Sequence, residues 1–380
     1  MKTEKSKDSR LTRQQKRRLL IIVVCIIVII AAAAGIKIGW QKTHHISKIQ
    51  IPKNTKIWMI ITANYGVGTR ITFLDKDLNV LAKSPELQYS SFSFPPYIPL
   101  VRGHVLYTSP EGDMAVGGTH ITVSIDMRSG EIREYDNGDE MSGPTSTGVN
   151  QKAFYVCTNH NDTSTVSRRD RKTGRMIYRR FDKERMKIMY TIFATDRNVY
   201  CTGFVDDEKD PGWLYLLDPD DLSTRKIIRI PGETFYMSEY DGKIYMPFST
   251  GSDTCYIGSV DDATGKFKKI RLKGRKPNAI QKYGRYLITD DTDMNADIKR
   301  NSTIMLYDMK TGKEKTYPFE GIIDQTWMDH DTLYVLDDAE EEKSRITVYR
   351  LRNGGLKKVR SKVFDSLYSG VCTTNDNQDH

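Results

Sequence analysis

Asp291, Asp293, Asn295 and Asp297 place four side-chain oxygens at alternate positions of one short stretch. That spacing is the one used by the first half of a calcium-binding loop, where alternate carboxylates and amides turn inward on a hard cation. The second half does not follow. Ala296 stands where such a loop needs its turn glycine, and Ser302 where a bidentate glutamate would complete the cage. Lacking the sharp bend and the strongest ligand, the stretch is expected to be a solvated acidic loop, with calcium as the secondary reading. The residues name no other cofactor.

Other local chemistry is sparse. The patterns G-x-S-x-G, H-E-x-x-H and G-x-x-x-x-G-K-[ST] do not occur, so there is no signature of a nucleophile elbow, a zinc helix or a phosphate loop. Five cysteines, at 25, 157, 201, 255 and 372, form no C-x-x-C pair and have no histidine at zinc-ligand spacing. Cys157 falls two residues after a strand tyrosine and Cys201 one residue after the next, so the two should point to opposite sides of their sheets, as free buried thiols. His104, His120, His160 and His330 occupy unlike places in the repeat described next and are not expected to converge.

What must position any site is a repeated phrase. Ile304 to Phe319, IMLYDMKTGKEKTYPF, reads as strand, tight turn, strand: Asp308 can accept from backbone N–H groups ahead of it and Gly312 supplies a positive φ. Relatives begin near 71, 121, 164, 214, 255 and 346, giving seven copies. A strand with an aromatic residue precedes each one, marked by Trp58, Tyr107, Tyr155, Tyr200, Tyr245, Tyr286 and Tyr334. From Tyr107 the intervals are 48, 45, 45, 41 and 48 residues. A period of that length built from strands alone predicts an all-β, seven-bladed β-propeller rather than a helical solenoid.

On the strand tyrosine and the D-x-x-[ST]-G-[KRE] turn, the chain resembles the bacterial WD40-like or YVTN-type seven-bladed propellers, which include quinoprotein-like folds. The resemblance covers roughly residues 53–372 and lacks the Trp-Asp dipeptide of true WD40 repeats. It implies four strands per blade, a to d from channel to rim, with the tyrosine on strand b and the aspartate turn between c and d. Blade one then lacks its own inner strand, and residues 364–373, FDSLYSGVCT, are placed to supply it and close the ring. Ligand sites of such propellers lie at the channel mouth. Counting ten residues back from each tyrosine puts Tyr97, Thr145, Tyr190, Phe235, Lys276 and Asp324 there. Aromatics with one acid and one base could hold a sugar, a peptide or a small polar ligand, against the plainer reading of packing between blades. The c–d turns are basic, through residues such as Lys76, Arg128, Arg171, Lys266 and Lys310, whereas the b–c loops at 205–210, 289–297 and 336–343 are acidic.

The 380 residues carry a net charge of +9, but the first 18 hold eight Lys and Arg against Glu4 and Asp8, leaving only +3 for the rest. The basic excess therefore belongs to a tail, not to a nucleic-acid face. Leu19 to Ile36 is an unbroken apolar run of eighteen residues, about 27 Å as a helix, enough to cross a bilayer. Lys16, Arg17 and Arg18 on its N-terminal flank predict that end inside, and Trp40 suits the opposite interface. A cleaved signal peptide, cut near Ala31 to Ala34, is the competing reading, but the apolar run exceeds the usual h-region. The expected layout is a cytoplasmic tail at 1–18, a transmembrane helix at 19–40, a short linker at 41–52, the propeller at 53–373 and a free tail at 374–380. The expected role is an extracytoplasmic binding or scaffolding module of the cell envelope, with a protein or anionic envelope polymer as partner. The alternative is a propeller enzyme of lactonase, lyase or cyclotransferase type.

Overall fold

The computed structural model describes residues 46–374 apart from 63–67, 90–91, 94–98, 111, 114–116, 142, 161–162, 182–187, 205–211, 233, 249–255, 274–276, 292–301 and 341. Within it, seven antiparallel sheets follow one another along the chain, each ordered from an inner strand a to an outer strand d. Blades three to seven have their inner strands at Pro144–Val149, Ile188–Ala194, Ser238–Tyr240, Pro277–Tyr283 and Ile323–Asp329. Blade two starts with Leu100–Arg102, and a short extra strand, Phe92–Ser93, joins the far end of its strand b. Blade one is completed from the C-terminus: Gly370–Thr373 pairs antiparallel with Ile57–Ile60. Among the described residues no helix is long and apolar enough to cross a membrane. The expected tail and span at 1–40 lie outside those residues.

The strand sequences follow from their layers. Strands b are sandwiched between neighbouring blades and must be apolar on both faces, so Phe154, Tyr155, Val156 and Cys157 are all buried in succession. Strands d face solvent, and blade six ends in KEKTYP, in which no residue is buried. The core is correspondingly a series of layers between blades: one joins Tyr155 and Cys157 of blade three to Met189 and Cys201 of blade four. The two thiols sit on opposite faces of equivalent sheets, and that is why they share a layer. Both are free, as is Cys372, and burial pushes Cys157 up to about 12 and Cys201 well above its ordinary value. Cys25 and Cys255 lie outside the described residues.

In the c–d turns the aspartate accepts backbone N–H groups, as Asp308 does from Lys310 at 3.0 Å and Asp170 from Thr173 at 2.8 Å. A left-handed residue closes each: Gly130, Gly174, Gly265, Gly312 and Gly354, but Leu78 and Leu222 in blades one and four. Its carbonyl fastens the ring. At four seams a basic side chain from strand d of one blade donates to the left-handed residue of the next: Arg179 to Leu222 O, Lys226 to Gly265 O at 2.7 Å, Lys315 to Gly354 O at 2.6 Å, and Lys362 to Leu78 O at 2.8 Å. At the first seam the backbone N–H of Ile49 makes the equivalent bond to Gly130 O at 2.9 Å. The inner strands are laced as well. Buried Gln281 accepts from Met328 N and donates to Thr326 O of blade seven, and Gln325 does the same for Val371 N and O of blade one.

Three assignments differ from the sequence reading. The closing strand is Gly370–Thr373 rather than 364–373, because Phe364 ends the outer strand of blade seven, paired with Ser344. The linker does not run to residue 52, because Lys48 bridges Glu131 on blade two and Ile49 is 1% exposed. Tyr286 is not the counterpart of the other strand aromatics. Tyr334 pairs with Val348, two residues before its turn residue Arg350, whereas Tyr286 pairs with Asp308 itself. The equivalent position in blade six is Ile288, opposite Leu306. An aromatic at the start of the strand, beside the a–b turn, mimicked the marker two residues early.

Candidate functional site

The two ends of the channel differ. At the end where the inner strands begin, the ten-residue count reaches a consistent feature: a β-bulge. Register shifts fall between Pro144 and Ser146, Met189 and Thr191, and Ile323 and Gln325, so Thr145, Tyr190 and Asp324 are the extra residues in blades three, four and seven. A bulge re-aims one side chain and is common at barrel rims. In blade six the shift lies between Pro277 and Ile280, so Lys276, reached by counting from the misplaced marker, is not its bulge residue; it lies outside the described residues. Tyr97 lies outside them too, and of Tyr190 only the backbone is described. Phe235 is half-buried just ahead of the short inner strand of blade five. Of the alternating acidic set, Asp291 ends strand b of blade six, half-buried opposite Thr303; Asp293, Asn295 and Asp297 lie outside the described residues. Among the described residues no three His, Cys, Asp or Glu side chains are grouped to hold a metal ion.

Asp324 is the chemically distinctive residue at this end. Burial, with the Asp338 carboxylate beside it and Asp337 beyond, pushes its pKa up to about 8. Within the acidic run at 336–343, Asp338 and Glu340 are exposed and Asp337 is not. The run forms the hairpin between Thr332–Glu340 and Lys343–Arg352, in which Asp337 is fully buried and receives Arg345 Nη2 at 2.7 Å. A carboxyl whose native pKa is raised holds a proton that the unfolded chain has already released, so stability falls as pH rises from the ordinary carboxylate range toward 8. Asp324→Asn is expected to remove that slope and to be the more stable protein at pH 8, by on the order of 2 kcal/mol. Thermal unfolding at pH 5 and pH 8 measures it; equal pH slopes in both proteins would contradict the assignment.

Among the described residues the inner strands pack closely around the channel. A space of about 40 Å³, room for a water or two, remains among Pro99, Phe193, Tyr236, Met237 and Trp327. At the opposite end, where the a–b turns lie, Arg102 of blade two reaches across to Glu239 of blade five at 3.5 Å, donates to Ala194 O of blade four at 3.1 Å, and lies over the Phe193 ring. Burial raises the Glu239 pKa and the Arg102 guanidinium opposes that rise.

Outside this cross-channel pair the structure opens. A cavity of about 740 Å³ is bounded by Arg102, His104, Gln151, Arg171, Arg197 and Glu239, and a second of about 490 Å³ continues between blades four and five past Pro219 and Arg225. The two share Asp196, Arg197 and Asp262. Asp262 is the buried post between them, accepting from Tyr200 Oη at 2.6 Å, Thr195 Oγ1 at 3.0 Å and Asn198 Nδ2 at 2.9 Å. His104 meets Asp126 at 3.1 Å, and Arg171 stacks over Phe154 and donates to Tyr107 Oη. The trough thus presents both charges on a floor fixed by hydrogen bonds. The sequence ruler could have found it: five residues before the tyrosine, instead of ten, lie Arg102, Asn150 and Thr195, all of which line it.

No known family profile matches the chain, and no curated protein matches it. Solved structures do. A provisionally named 6-phosphogluconolactonase from Bacteroides uniformis superposes with a TM-score of 0.58 at 15% identity, over 84% of this chain and 100% of that one. Its counterpart from Bacteroides fragilis gives 0.57 at 14%, over 84% and 98%. A mutant of the Synechocystis apocarotenoid oxygenase gives 0.53 at 10%, over 85% and 92%. At such identities the likeness concerns the fold, the seven-bladed propeller.

Proposed function

We propose that this chain is a membrane-anchored, extracytoplasmic binding or scaffolding module of the cell envelope, with a protein or anionic polymer as its partner. The observation that carries the reading is the contrast, among the described residues, between a narrow space lined by aromatic side chains and closed by the Arg102–Glu239 pair, and the broad mixed-charge trough outside it. A catalytic funnel needs a water-excluded pocket that admits substrate; a wide open floor of fixed charges suits recognition of a surface or a chain. The address draws on the eighteen-residue apolar run and its basic flank.

A photo-crosslinking residue placed at Gln151 or Arg197 in the full-length protein, expressed in its own cells, tests this. Both positions should capture the same partner and Lys357, on the outer rim, should not; capture that does not depend on position would overturn the reading. Protease should cut the propeller in cells whose outer layers are opened but whose membrane is intact. A second reading, a propeller enzyme working at the opposite end, draws on the proton carried by Asp324. It requires Asp324→Asn to lose a turnover that the parent protein has.

A further inference from the structure

Among the described residues the fastening is missing at two of the seven seams, blades two to three and five to six, and at the five-to-six seam Lys268 faces a groove with two further lysines. Lys226, Lys268 and Lys315 occupy the same register on strand d of blades four, five and six, opposite Leu216, Ser259 and Leu306. Lys226 and Lys315 each cap the turn glycine of the following blade. Lys268 makes no such bond to Gly312. At the second seam the cation in that register, Arg133, is held by Glu131 at 2.8 Å, but Lys268 has no carboxylate within ion-pair distance among the described residues. It lines a cavity of about 330 Å³ between blades five and six together with Lys243 and Lys266, neither of which has an ion pair among the described residues. The floor is Tyr245, Tyr307, Met309 and Ile270. Asp261, the acid in the groove, is occupied by its own turn, accepting from Thr264 N and Oγ1.

We propose that this groove is a second binding site, for a phosphodiester polymer, with its phosphates on Lys243, Lys266 and Lys268 and its carbon links on the aromatic and methionine floor. Three ammonium groups meet phosphates as compact point charges, the manner in which lysine binds phosphate. A line of cations above an apolar strip suits a chain with alternating charge and carbon rather than a lone ion. The site deepens the reading above by naming the polymer class and its seat. It lies apart from the trough probed at Gln151 and Arg197, so either proposal can fail without the other.

The test is binding of poly(glycerol phosphate) to the detergent-solubilised full chain, with poly-glutamate and inorganic phosphate as the other arms. The triple variant Lys243→Gln, Lys266→Gln, Lys268→Gln should bind the phosphodiester polymer at least tenfold more weakly than the parent. Lys83→Gln, Lys357→Gln, Lys358→Gln, which removes the same charge from the rim elsewhere, should change binding less than twofold. All six positions are exposed, and an unchanged melting temperature verifies that the variants fold. Equal losses in the two triples would show charge attraction alone and overturn the site. Poly-glutamate bound as tightly as the phosphodiester polymer would overturn the phosphate preference, and full competition by millimolar inorganic phosphate would make it a site for the free ion.

Discussion

Ending the chain before Gly370 is expected to abolish cooperative folding of the propeller. The four residues Gly370–Thr373 are the inner strand of blade one, and Val371 and Cys372 are fully buried. Their loss removes the ladder to Ile57–Ile60, both Gln325 bonds and the Trp327 Nε1 bond to Thr373 Oγ1. At about 1 kcal/mol per net hydrogen bond and about 2 for each apolar side chain, the sum is on the order of 8 kcal/mol. That rivals the whole stability of an ordinary domain, roughly 5–15 kcal/mol. It also bares the edge of Ile57–Ile61 to solvent. Circular dichroism melts of the full and shortened chains decide it; a truncated protein melting within a few degrees of the parent would mean that blade one does not need its borrowed strand.

Arg345→Ala is expected to destabilise the fold by about 3–5 kcal/mol, the cost of leaving a buried carboxylate without its cation. Arg345 contacts both oxygens of Asp337, donates to Glu320 O and lies over the Phe319 ring, while Asp337 has no exposed surface. Asp337→Asn in the same chain should recover much of the loss, because an amide is cheaper to bury than a lone charge. The double-mutant cycle by denaturant unfolding measures the coupling, and an Arg345→Ala penalty below 1 kcal/mol would show the pair to be dispensable.

The ring was legible because its repeat is local. In four of the seven c–d turns an aspartate and a left-handed glycine lie four residues apart, and a strand aromatic recurs at nearly fixed spacing. Hydrogen-bonding and packing needs set both within a few residues. Sites made between blades leave no such trace: Arg102 and Glu239 are 137 positions apart and meet only because the ring brings blade two opposite blade five. The acidic run at 336–343 hides its pairing for a related reason. Its charge alone does not show that Asp337 turns inward while Asp338 and Glu340 stay exposed, and only the partner Arg345 reveals it. The bulges are an intermediate case, since a correct count reached Thr145, Tyr190 and Asp324 without showing that an inserted residue was the reason to look there.

The segment Ser47–Ile49 has a mechanical meaning. Its bonds Ile49 N to Gly130 O and Ile132 N to Ser47 O, with the bridge of Lys48 to Glu131, tie the start of the described chain to blade two rather than to blade one. A pull applied at Ser47 is therefore borne by the turn and rim of blade two before it reaches Ile57, whose strand is clasped by Gly370–Thr373. The closing strand is shielded from load, and tension would peel away three residues of leader while the wheel stayed shut.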